Sequence, residues 1–130
     1  MRTPAFSAAL GLALALTALA PSALMAHVQM TASTPASGTK TKAPKVITLT
    51  FSQPVNPASV AASIVMTAMP GVANHGEMAI RNFTASWSPD GSMMTLTLRK
   101  ALPAGTYEVR WQAAAADGHV MTGSFEFVVE

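Results

Sequence analysis

Three residues have the types and spacing for metal chemistry: His27, Asp117 and His119. Asp117-Gly118-His119 sets a carboxylate and an imidazole two positions apart, and on an extended segment such positions share a face. His27 follows a segment that reads as a secretory signal. If that segment is removed after Ala26, His27 becomes the first residue, and its α-amino group and imidazole can chelate one ion together. With a reference pKa near ~8, the amine can lose its proton to a metal at neutral pH. An amine, two imidazoles and a carboxylate form a nitrogen-rich set suited to Cu(II) in tetragonal geometry.

The signal over residues 1–26 has the expected parts. Arg2 supplies the positive start, and Ala8 to Ala20 is small and apolar except for Thr17. Pro21-Ser22 breaks the run and Ala26 offers a small residue at the cut. Cleavage after Ala20 would leave Pro21 just past the bond, and cleavage after Ala23 would put Pro21 at the third position before it. The apolar run is shorter than the ~18–20 residues of a spanning helix, which argues for a cleaved signal over a membrane anchor. Export to the periplasm is the expected consequence.

Residues 27–130 then form one domain. Eight basic residues, one of them Arg2, stand against six acidic ones, a balance too weak and scattered for nucleic acid. The chain has no cysteine, which excludes disulfides and thiolate metal sites in an oxidising compartment. The core must hold by packing. Nine methionines are many for this length, and only Met1 and Met25 fall in the signal.

The elements that position these residues read as strands. Ile47, Leu49 and Phe51 alternate with Thr48 and Thr50, and Met94, Leu96 and Leu98 with Thr95 and Thr97. Tyr107, Val109 and Trp111 alternate with Glu108 and Arg110, and Phe125, Phe127 and Val129 repeat the pattern. Shorter candidates are Val28–Thr31, Ser63–Thr67 and Ile80–Trp87. Residues 56–62 predict one short helical turn. Pro89-Asp90-Gly91 predicts a hairpin, and other Pro/Gly clusters separate the remaining runs. About seven short strands predict an all-β fold, a small antiparallel sandwich or Greek-key barrel. Met66 to Met78, rich in Met, Gly, Pro and His, follows no strand period.

These segments together resemble the CopC family of periplasmic copper-resistance proteins. The resemblance spans residues 27–130 and rests on ordered motifs. They are His27; Ser33-Thr34-Pro35-Ala36 with Gly38; Ile47–Ser52; Val65-Met66-Thr67-Ala68-Met69-Pro70-Gly71; Leu102 to Trp111; and Ala116 to Phe125. It implies a seven-stranded Greek-key barrel, immunoglobulin- or cupredoxin-like. It also implies a copper-binding protein whose Cu(II) site matches His27, Asp117 and His119. Some members carry an acidic residue where this chain has Gln53. The resemblance further implies a Cu(I) site from Met66, Met69, His75 and Met78, with Val72 where such members commonly carry another methionine. Soft thioethers suit Cu(I), although methionine is more often core filler. Met30, Met93, Met94 and Met121 read as packing, Trp87 and Trp111 as core aromatics.

The expected function is a non-catalytic copper carrier or buffer, monomeric, with no nucleic-acid partner. The resemblance implies a CopD-like inner-membrane transporter, or other periplasmic copper proteins, as partners. Two alternatives compete. One is a small copper oxidase with a histidine-brace-like site, against which stand the short chain and an Asp117 occupying a position oxygen would need. The other is an immunoglobulin-like structural module, which leaves His27, Asp117, His119 and the methionines unexplained. No Ser/His/Asp set, carboxylate pair or phosphate loop suggests another enzyme.

Overall fold

The computed structural model describes residues 28–115 and 117–130. Residues 1–26, expected to be a signal, and His27 lie outside the described residues. Among the described residues nine strands follow in order: β1 Met30–Thr34, β2 Lys40–Thr41, β3 Val46–Phe51, β4 Ala61–Ala68, β5 Met78–Ile80, β6 Phe83–Trp87, β7 Met93–Leu98, β8 Gly105–Ala114 and β9 Val120–Val129. They form two sheets, β1-β3-β7-β6 and β2-β9-β8-β4-β5. Neighbours are antiparallel except β2, which lies parallel to β9. The sheets face each other as an open sandwich and do not close into a barrel. This strand order is that of an immunoglobulin-like domain, with β2 and β5 as added edge strands.

Burial follows the alternation. Ile47, Leu49 and Phe51 of β3 face inward, as do Met94, Leu96 and Leu98 of β7. The second sheet answers with Ile64 and Met66, Tyr107, Val109 and Trp111, and Phe125, Phe127 and Val129. Phe51 meets Trp111 edge-on at 5.2 Å across the two layers, and within the second sheet Tyr107 stacks on its register partner Phe127 at 5.7 Å. Trp111 lies opposite Gly123 in the register, and a Cβ on Gly123 would come within 2.6 Å of the indole. Only glycine leaves room for the ring there.

Two features reach beyond the sequence pattern. The run Ile80–Trp87 divides between the sheets, because Arg81-Asn82 carries the chain across and the Asn82 carbonyl accepts from the Arg99 amide. The two-residue β2 is too short to show a period. The expected helical turn is a 3-10 turn at Pro57–Ser59, capped by Asn56, and Ala61 and Ala62 belong to β4. The expected Pro89-Asp90-Gly91 hairpin joins β6 and β7. Asp90 accepts from the hydroxyls of Ser88 and Ser92, which hold its carboxyl down at about 2.

Tyr107 fixes the entry to β8. Its hydroxyl donates to the Pro103 carbonyl at 2.6 Å, the corner by which immunoglobulin-like domains tie this strand to the preceding loop. Burial pushes the phenol up to about 12. Removing the hydroxyl in Tyr107→Phe should cost about 1 kcal/mol and lower the melting temperature by several degrees. A phenol raised in the folded state stabilises fully below the unfolded value near ~10 and loses that contribution as pH climbs through the folded one. The stability gap between parent and variant should therefore narrow from pH ~10 toward ~12, followed by thermal or urea unfolding.

Candidate metal centre

The nitrogen and oxygen donors sit at one end of the sandwich, on the connection from β8 to β9. Gly118 takes φ +83° and its amide donates to the Ala115 carbonyl at 3.0 Å. That turn folds Asp117 back onto His119. One carboxylate oxygen accepts from the His119 amide at 3.0 Å and the other lies 2.9 Å from Nδ1. Asp117 raises the His119 pKa by this hydrogen bond first and by its charge second. Both side chains reach solvent, with 69% and 36% of their surface exposed. A carboxylate on Nδ1 is the pairing that, in metal sites, orients the ring and makes Nε2 the donor.

The start of the described chain lies at this same end. Val28 is buried, the Gln29 carbonyl accepts from the Ser52 amide at 2.7 Å, and Gln53 follows with its amide side chain. Val28, Gln29 and Met30 line one cleft with Trp111 and Met121, two residues past His119. His27 itself lies outside the described residues. Among the described residues, no three His, Asp or Glu side chains gather as a metal cluster. Among the described residues, Asp117 and His119 form a pair and not a cluster of three.

Met66, Met69 and Met78 occupy the opposite end. The ten residues of β8 set the two ends about 30 Å apart. Register places Met78 directly opposite Met66, and Met66 opposite Tyr107. Met66 is fully buried, with its methyl beside Gly105, whereas Met78 is 42% exposed on the edge strand. Met69 is half-buried and lines a cleft with Gly105, Thr106 and Val129. Met69-Pro70-Gly71-Val72 forms a tight turn, closed by the Val72 amide on the Met69 carbonyl, with Gly71 at φ +76°. Val72 is exposed. His75 is half-buried, and its Nδ1 is enclosed with no hydrogen-bond partner. Met66 thus neighbours Met78 across the β4–β5 pair and Gly105 on β8, whose cleft Met69 lines, and Met66 also serves as a core residue. His75 lies in the loop between β4 and β5, outside the strands that bear Met66 and Met78.

The other methionines divide. Met94 is buried, and Met30 and Met121 pack against the core, but Met93 points outward and is exposed.

Arg110 is a residue whose role the strand pattern does not show. Its guanidinium donates to both oxygens of Glu77, at 2.6 and 3.2 Å, and through Nε to Glu108 at 3.0 Å. Glu77 immediately precedes Met78, and β4 lies between β8 and β5. The side chain thus crosses the outer face of β4, where Val65 is only 6% exposed. This bridge fastens the exit of the methionine loop to the central strand. Glu108 and Arg110 share a face by their spacing, but only the fold brings Glu77 to them.

Residues 30–130 match the CopC domain model. The chain is 41% identical over 105 residues to copper resistance protein C of Pseudomonas syringae pv. tomato, covering 81% of this chain and 82% of that one. It is 35% identical over 106 residues to copper resistance protein C of Escherichia coli, covering 82% and 83%. Among solved structures it resembles PcoC, a methionine-rich copper resistance protein from Escherichia coli. That likeness has a TM-score of 0.73 and 32% identity, over 81% of this chain and 100% of that one. With matched motifs, matched fold and near full-length coverage, the chain belongs to the CopC family.

Proposed function

We propose that this chain is a periplasmic copper carrier that holds Cu(II) at the end bearing Asp117 and His119 and Cu(I) at the end bearing Met66, Met69 and Met78. The observation that carries the reading is the 2.9 Å pairing of His119 Nδ1 with Asp117 at the end of the sandwich where Val28 begins. Chain connectivity places the His27 imidazole within one residue of that cleft, and removal of the signal after Ala26 would add the α-amino group. The donor set fits Cu(II): nitrogen-rich, hydrophilic and with a carboxylate beside the imidazole. Copper is the cargo, and the carrier performs no chemistry on a substrate. A CopD-like membrane transporter or another periplasmic copper protein is the partner that this reading implies.

The second site rests on the register of Met66 with Met78, and on Met69 across Gly105. Thioethers tolerate an oxidising compartment and prefer Cu(I). His75, with its enclosed and unpartnered Nδ1, supplies a nitrogen in the same loop.

Protein beginning at His27 should bind one Cu(II) with a tetragonal, nitrogen-rich electron paramagnetic resonance signal. A single residue added before His27 should abolish the amine–imidazole chelate and change that signal. His119→Ala should weaken Cu(II) binding more than Asp117→Asn, for which about 10- to 100-fold is expected of a group orienting a metal-binding imidazole. Both variants should keep the parent circular dichroism spectrum, since neither side chain is buried. Equal binding by all four proteins would remove the assignment.

The methionine site makes a separate prediction. Met69→Leu combined with Met78→Leu deletes two sulfurs at near-constant volume, at a stability cost under ~1.5 kcal/mol. Cu(I) competition against a chromophoric chelator should show weaker binding, while Cu(II) binding stays at the parent level. Val72→Met should strengthen Cu(I) binding. Identical curves for parent and variants would make these methionines packing residues.

A further inference from the structure

The formal net charge of +2 conceals a sorted distribution. Lys40 lies on β2, Lys42 and Lys45 on the following connection, Arg81 at the crossing before β6, and Arg99 and Lys100 just past β7. Hydrogen bonds hold these segments side by side. The Leu98 amide donates to the Lys45 carbonyl at 2.8 Å, the Arg99 amide to Asn82 at 2.9 Å, and the Leu102 amide to Pro44 at 3.2 Å. Glu130 closes the ring through its amide on Thr41 at 2.9 Å. All six basic side chains are exposed, and among the described residues none of them is in an ion pair.

This is the methionine end. β7 finishes and β8 begins here, and Gly105 beside Met66 pairs with Val129, next to which lies Thr41. The acidic groups nearby are Glu130, Glu126, two residues before the Val128 that pairs with Lys40, and Glu77, which is already engaged by Arg110. The other end carries Asp90 and Asp117. Among the described residues, every Lys and Arg except the doubly paired Arg110 belongs to the methionine end.

We propose that this basic end docks peripherally on an anionic membrane surface, with the methionine loop facing the bilayer. Four of the six charges are lysines, compact point charges without the fixed fork that selects one carboxylate. They come from separate chain segments spread around the rim. Such an arrangement matches a laterally continuous layer of anionic headgroups better than a single acidic peptide segment. Val46 and Val72, 45% and 47% exposed at the same end, add apolar contact at the interface. Among the described residues no helix is long and apolar enough to cross a membrane, so the association is at the surface. The inference stands apart from the copper reading, because it needs only the placement of charge.

The test is cosedimentation of the exported protein with vesicles containing phosphatidylglycerol, against vesicles of phosphatidylcholine alone. Binding should occur only with the anionic vesicles and should fall as salt is raised. Each neutralised basic residue should weaken it about fivefold, so Lys45→Gln, Arg99→Gln and Lys100→Gln together should weaken it about a hundredfold. A second variant, Gln29→Glu, Gln112→Glu and Ser124→Glu, lowers net charge equally but away from the basic end, and should keep most of the binding. Unfolding midpoints establish that both variants are folded. No binding to anionic vesicles at low salt, or equal losses in the two variants, would overturn the proposal. So would retention on a polyglutamate peptide without vesicle binding, which would assign the rim to an acidic protein.

Discussion

Ten consecutive register pairs tie β8 to β9, from Gly105 with Val129 to Ala114 with Val120, and β4 pairs along the other side. A slip of one residue would turn Tyr107, Val109 and Trp111 outward and bury Glu108 and Arg110. Trp111 against Gly123 prevents it, because any other partner would place a Cβ inside the indole. The Tyr107 hydroxyl on Pro103 fixes the same register from the other end. With β8 locked, its C-terminal end must deliver Asp117 and His119 to one pole, and its first residues must back the methionines at the other. The distance between the end bearing Asp117 and His119 and the end bearing Met66, Met69 and Met78 is therefore a property of one strand.

That dependence explains what could be read from the chain. The strands β3, β7, β8 and β9 announce themselves by alternation, since each has one face in the core. The pairing of Asp117 with His119 is equally local, a matter of two positions and a glycine that permits the turn. What escapes is long-range. β2 has two residues and owes its form to β9. Ile80 and Phe83 look like one run because a crossing between sheets carries no period of its own. Glu77 meets Arg110 only after β4 has been laid between them.

Charge gives the same lesson. In the sequence, the basic residues from Lys40 to Lys100 are spread over sixty positions and look scattered. The sandwich returns the chain to the same end again and again, so residues far apart become neighbours. Met66 shows the reverse ambiguity. Its residue type suits a soft metal, its place in the core suits packing, and register with Met78 allows one side chain to do both.

The segment from Gly38 to Thr41 has a further meaning. Gly38 donates to the Glu126 carbonyl, Val128 to Thr39 and Glu130 to Thr41, so this short stretch covers the outer edge of β9 along its last residues. A bare edge of alternating aromatic and aliphatic residues would template a strand from another molecule. Covering it with two residues of β2, one of them a lysine, leaves too little exposed backbone for a second chain to extend the sheet from there. Residues 126–130, at the end of the C-terminal strand, are thereby closed to strand addition from another molecule.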